Sequence, residues 1–295
     1  TLFLVYVDDG ILIDPDPANI EQAMKDLASR FDIEDEGDID DYLGVKVEQG
    51  EQKGTYHLTQ PHLIDSILED LQLLNHGKPK VAKAANTPAT FESKLHKDKE
   101  GEPFIYPWDY RSVIGKLNFL EKSTRGDLAY SVHQCARFMS DPQRSHGEAV
   151  KRIGRYLLGT RGKGFYLCPD RTKSFECYVD ADYCGNWNPL MTDDPNTAKS
   201  RTGYIITYLG CPLIWASRLQ TVFALSTSEA EYIALSTALR DVIPLMNLLT
   251  EMKEFGFDVQ STPTVHCKLF EDNSGALEQA RVAKYRPRTR HINAA

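Results

Sequence analysis

Three carboxylates constrain how this chain can fold. Asp180 closes the apolar run FECYVD, Glu229 stands in STSEAEY at the start of a long helical pattern, and Asp272 closes TVHCKLFED. They lie far apart along the chain. Only a sheet that sets the two strands side by side, with the helix start at the same edge, unites them. United carboxylates repel unless a cation joins them or one takes a proton. Hard oxygen donors with open positions suit Mg²⁺ or Mn²⁺. Each acid also has a purely local reading. Asp180 and Asp182 fit a turn at a strand end. Ser226-x-x-Glu229 and Ser228-x-x-Glu231 both read as capping boxes. Asp272-Asn273 fits the start of a helix over NSGALEQARV.

Periodicity predicts the remaining elements. LFLVYV and ILI read as a hairpin with Asp8-Asp9-Gly10 as its turn. Residues 17–31 read as an amphipathic helix with Ile20, Met24, Leu27 and Phe31 on one face. YLGVKVEQ and TYHLT form a second hairpin, and a helix follows with Pro61 in its first turn. Residues 75–103 lose all period and read as a long loop. YRSVIGKLNFLEKS, GDLAYSVHQCARFM and SHGEAVKRIGRYLL read as three packed helices. After Thr160 the strands GFYLCP, SFECYVDADYC, GYIITYLG and CPLIWAS follow. A helix from about Thr227 to Phe255 comes next, with a kink or break near 243 caused by Pro244. The strand PTVHCKLF and the helix NSGALEQARV precede a basic tail.

The net charge of −8 argues against a globally basic nucleic-acid binder, while a local basic patch stays open. None of the six cysteines forms a CxxC, and no Cys/His spacing suits zinc; free thiols in a reducing compartment are expected. The sequence holds no apolar run of bilayer length and no secretory signal. It begins on Thr1 and enters an apolar run at once, as expected of a piece of a longer polypeptide.

In order along the chain stand YVDADYCGNW, SRTGYIITYLGCPLIWASRLQTVFALSTSEAEYIALS and LFEDNSGAL. This series resembles the ribonuclease H domain of copia-type LTR retrotransposon polyproteins. The resemblance matches the family's first aspartate to Asp180, its helix glutamate to Glu229 and its third acid to Asp272. Two Mg²⁺ or Mn²⁺ ions held there would straddle the scissile phosphate of an RNA–DNA hybrid. The family's fourth acid lies in an H-I-D segment; here RTRHINAA places Asn293 at that position. Lys199, Arg201, Arg288 and Arg290, with Lys284 and Arg286, are the candidate contacts to backbone phosphates.

The opening LFLVYVDDGILI is similar to the palm hairpin of reverse transcriptases. DYLGVKV, YHLTQPHLIDSIL, YRSVIGKLNFL and TRGDLAYSVHQCARFM are similar to the segments that follow it in copia-type polyproteins. The resemblance makes Asp8 and Asp9 catalytic acids, with Asp8 a metal ligand beside an aspartate from an upstream strand. Without that strand, no polymerase activity is expected of the chain alone.

The expected class is α+β: a truncated reverse transcriptase palm/thumb segment followed by a ribonuclease H-like mixed-sheet domain. Residues 1–60 form the palm remnant, 61–160 a helical thumb or connection, and 165–293 the ribonuclease H-like domain. The unpartnered hairpin leaves an apolar edge and predicts poor solubility. The resemblance implies an RNA–DNA hybrid and the rest of the polyprotein (upstream palm and fingers, integrase) as partners, and no membrane. It implies an intracellular, cytoplasmic setting in a virus-like particle, with access to the nucleus. The competing expectation is a decayed, inactive fragment that binds nucleic acid weakly.

Overall fold

The N-terminal apolar run forms strand β1 (Leu2–Tyr6), paired antiparallel with β2 (Asp9–Ile13). A computed structural model describes residues 1–75, 78–79, 83–90, 94–189, 191, 194–260 and 264–281. Tyr6 pairs with Asp9, so the turn is Val7-Asp8 rather than Asp8-Asp9-Gly10. Val7 sits at φ +55°, a left-handed conformation that costs a β-branched residue about 1–3 kcal/mol. The two strands pair only with each other among the described residues. Phe3, Leu4, Val5, Tyr6 and Val7 are all exposed, the apolar edge expected from the sequence. Helix α1 (Pro17–Ala28) follows, capped by the Asp16 side chain accepting from Ala18 N–H, with Pro17 at its start. Thr1–Ile39 and Ile243–His266 form one compact unit.

Asp40–Val242 and the segment from Cys267 onward form the other unit. Its first sheet runs β3 (Asp41–Tyr42), β4 (Val45–Gln49), β5 (Tyr56–Thr59) and β8 (Phe165–Leu167), in that order. Between β5 and β8 lie α2 (Pro61–Asp70), the short pair β6 (Leu74–Asn75) and β7 (Lys78–Pro79), α3 (Tyr110–Ser123), α4 (Ala129–Ala136) and α5 (Arg144–Gly159). Ile64, Ile67 and Leu68 of α2, Val113, Ile114 and Leu117 of α3, Val132 of α4 and Val150, Ile153 and Leu157 of α5 build the main core. They recur at helical spacing, so each helix buries one stripe.

The hairpin of 41–59 joins the strand that follows the helices: β8 completes the open edge of β5, Leu58 pairing with Phe165. Phe165–Leu167 therefore belongs to this first sheet and not to the strands that follow it.

The second sheet is built from β9 (Phe175–Asp182), β10 (Arg201–Tyr208), β11 (Cys211–Leu219) and β12 (Cys267–Phe270), in the order β11-β10-β9-β12. β9, β10 and β11 are antiparallel, and β12 joins β9 in parallel. Helix α6 (Thr227–Glu254) presents Ala230, Ala234, Leu235, Ala238 and Val242 as a buried stripe, and α7 (Ser274–Arg281) follows β12. The helix continues through Pro244 without a break; the boundary between the compact units falls one residue earlier, after Val242. By length and composition alone α6 is also long and apolar enough to cross a bilayer. Its buried stripe in the second unit is equally that of a soluble core helix.

The helices and this sheet meet at α3 and α4. Trp215 Nε1 donates to Glu121 O at 2.8 Å, and the Arg201 guanidinium stacks on Tyr130, 5.1 Å from the ring centre. His133 Nδ1 lies 3.2 Å from Arg201 Nη1. Burial, then the charges of Arg201, Arg137, Lys122 and Arg218, push His133 down from 6.5 to about 4. The folded chain therefore holds His133 neutral where the unfolded chain would protonate it. This contribution to stability is complete above pH 6.5 and is lost as pH falls toward about 4. In urea titrations, His133→Gln is expected to lose less stability than wild type over that window. An identical pH dependence in the two proteins would exclude His133 as its source.

Candidate metal centre

The parallel pairing of β12 with β9 sets the level of two acids. Tyr178 is opposite Phe270, and their rings stack with centres 4.7 Å apart. Asp180 and Asp272 each stand two residues further along, so both carboxylates reach the same edge of the sheet. Asn273 Oδ1 caps α7 by accepting from Ala276 N–H at 3.0 Å. Asp272 is therefore not the cap, and its carboxylate is left for the edge. Gly275 lets the start of α7 approach α6, since a Cβ there would lie 2.8 Å from Ser228 Oγ.

The third member is Glu231. Side-chain oxygens of Asp180, Glu231 and Asp272 all lie within 4.8 Å of one another. Glu229, the glutamate expected from the sequence, is not in this group. Its Oε2 accepts from Leu225 N–H at 2.9 Å, and its own N–H donates to Ser226 Oγ at 3.2 Å. These bonds resemble a capping box, with Glu229 reaching Leu225, the residue before the Ser226 cap, and they tie Glu229 to the helix entrance. Both glutamates are buried, Glu229 at 8% and Glu231 at 7% exposure, so direction and not burial separates them. Glu231 shares its stripe with Ala234, Leu235, Ala238 and Val242.

Glu231 is only 7% exposed, while Asp180 and Asp272 are open to solvent. Burial, then the negative charges of Glu271, Asp180 and Asp272, raise Glu231 to about 7, opposed by a hydrogen bond from the Ala181 backbone. Glu271 is also raised, mainly by burial and then by Asp272 and Asp180. Glu231 Oε2 and Glu271 Oε2 are both buried and accept from no protein donor. A carboxylate oxygen in that state needs a proton or a cation.

The other predicted residues are dispersed. Asp8 lies in the β1–β2 turn and Asp9 opens β2; neither belongs to a metal-ligating group among the described residues. Arg201 is 4% exposed and turned inward against Tyr130, His133 and Ser217, so it does not present a surface contact for phosphate. Burial, chiefly, holds its guanidinium down to about 10. Lys199 Nζ lies 5.7 Å from the centre of the Phe223 ring. Lys284, Arg286, Arg288, Arg290 and Asn293 lie outside the described residues.

Residues 1–83 match the reverse transcriptase (RNA-dependent DNA polymerase) family. Over 99% of its length the chain is 33% identical to the retrovirus-related Pol polyprotein from transposon TNT 1-94 of Nicotiana tabacum, covering 21% of that protein. Over 98% of its length it is 32% identical to the retrovirus-related Pol polyprotein from transposon RE1 of Arabidopsis thaliana, covering 18% of it. The chain corresponds to a segment of a copia-type transposon polyprotein, with a reverse transcriptase domain at its start. This copia-type segment thus spans about a fifth of the length of those two relatives. It is also 28% identical to an uncharacterised mitochondrial protein of Arabidopsis thaliana, over 79% of this chain and 89% of that one. No solved structure matches it.

Glu231→Gln and Glu229→Gln separate the two glutamates. Mn²⁺ binding followed by calorimetry is expected to weaken at least about tenfold for Glu231→Gln and to stay near wild type for Glu229→Gln. The reverse order would remove Glu231 from the centre.

Proposed function

We propose that this segment carries a ribonuclease H-type nuclease, cleaving the RNA strand of an RNA–DNA hybrid at Asp180, Glu231 and Asp272 with divalent cations. The observation that supports it is the meeting of those three oxygens at one edge of a mixed sheet, with Glu231 buried beneath two exposed aspartates. The donor set fits Mg²⁺ or Mn²⁺, being all oxygen and open on the solvent side. When bound, divalent ions there supply water activation and charge neutralisation at the scissile phosphate.

The chain's own part is positioning. Asp180 and Asp272 are held at the ends of paired strands, where the ladder fixes their separation. Glu231 is held by a helix whose buried stripe packs into the protein, so its carboxylate faces the same edge without side-chain freedom. No side-chain nucleophile is required. The two exposed aspartates leave room for a phosphate to approach from solvent. The hybrid substrate rests on the family resemblance and on the Pol polyprotein relatives. So do the proposed partners, the remaining parts of such a polyprotein. Asp8 and Asp9 are assigned to the reverse transcriptase hairpin within residues 1–83 and are given no role in this nuclease.

The test is cleavage of a labelled RNA–DNA hybrid with Mg²⁺ or Mn²⁺, against an EDTA control. Asp180→Asn is expected to lower the rate about 100-fold or more. Equal rates in wild type and Asp180→Asn would end the proposal. Salt-sensitive hybrid binding without any cleavage would favour a decayed element instead.

A further inference from the structure

The six cysteines form no local motif, so any pairing among them depends on where the fold sets them. Cys135 is sealed in the helical core, and Cys184 Sγ donates to Ala198 O at 3.1 Å. Cys177 and Cys267 lie on neighbouring strands, but Cys267 is opposite Phe175 and Cys177 is opposite Leu269. That offset puts their Cα atoms about 7–8 Å apart, beyond the reach of a disulfide.

Cys168 and Cys211 are placed differently. Cys168 directly follows β8, and Cys211 opens β11. The segments that hold them are joined by a backbone bond from Asp170 N–H to Leu209 O, at 2.8 Å. Two residues before Asp170 stands Cys168, and two after Leu209 stands Cys211. Antiparallel segments in that register set the two cysteines opposite each other, with Cα atoms about 4.5–5.5 Å apart. A disulfide spans about 4.4–6.8 Å between Cα atoms, so this pair is within reach. The electrostatics agrees with the register. Burial, first of all, raises the Cys211 thiol; the Cys168 backbone N–H opposes that shift and the Cys168 sulfur adds to it, so both groups of Cys168 lie beside the Cys211 sulfur. Cys168 is exposed and Cys211 is buried, so a reagent from solution meets Cys168 first.

We propose that Cys168 and Cys211 form a reversible disulfide, a redox-sensitive tie between the end of β8 and the start of β11. The oxidant is a low-molecular-weight disulfide of the glutathione type. The Cys168 thiolate attacks one of its sulfurs, forms a mixed disulfide and expels one small thiolate. The Cys211 thiolate then attacks the Cys168 sulfur and expels the second. The two cysteines are oxidised, the small disulfide is reduced to two thiols, and those thiols take up the two protons that the cysteines lose. The new bond closes the loop that carries β9 and β10, and with them Asp180. It also ties β8 of the first sheet to β11 of the second. Such a closure restricts the unfolded chain and stabilises the folded one.

The test is to incubate the full chain with oxidised glutathione, digest it without reduction and map the peptides by mass spectrometry. A peptide pair joined through Cys168 and Cys211 is expected, lost on adding dithiothreitol and absent in Cys168→Ser. The oxidised protein is expected to melt at least about 5 °C above the reduced one. Cys168→Ser, altered only at an exposed position, is expected to show no such shift. Cys168 left as a free thiol, carrying only a glutathione adduct, or joined to another cysteine would overturn the pairing. A melting temperature that oxidation does not move would overturn the tie.

Discussion

The parallel pairing of β12 with β9 is the constraint on which the site depends. A parallel pair brings both C-terminal strand ends to one edge, and the observed register puts Asp180 and Asp272 at equal distances beyond the stacked Tyr178 and Phe270. A slip of one residue would turn one of the two carboxylates to the opposite face. The register is held by alternation along β9, where Phe175, Cys177 and Val179 are buried and Tyr178 and Asp180 are not. The pattern that builds the core of this sheet therefore also aims its catalytic candidates.

Charge then decides what the edge is suited to do. Glu231 and Glu271 have buried oxygens without protein donors, and burial raises both groups. Buried acids so placed are destabilising unless a proton or a bound cation offsets their repulsion. The buried Arg201 lies elsewhere in the same unit, against α4, and forms no ion pair among the described residues.

Much of this was legible in the sequence, for identifiable reasons. Strands and helices with clear periods, such as FECYVD and the long helix from Thr227, lie where their patterns put them. Asp180 and Asp272 were legible because a charge that ends an apolar run has few positions open to it. Two capping boxes overlap at Ser226–Glu231, and motif matching cannot say which glutamate turns back to the backbone. The structure has Glu229 accepting from Leu225 N–H and Glu231 beside Asp180 and Asp272. The pairing of β8 with β5 across the whole helical region was not legible, because no local pattern encodes so distant a pairing. Pro244 does not end its helix, so local propensity yielded there to its surroundings.

Anomalous diffraction from crystals of the full chain soaked in MnCl₂ tests the central claim most directly. Peaks are expected within coordination distance of Asp180, Glu231 and Asp272, at the edge where β9 and β12 end. Crystals whose manganese lies elsewhere, or in which these three carboxylates face apart, would contradict it.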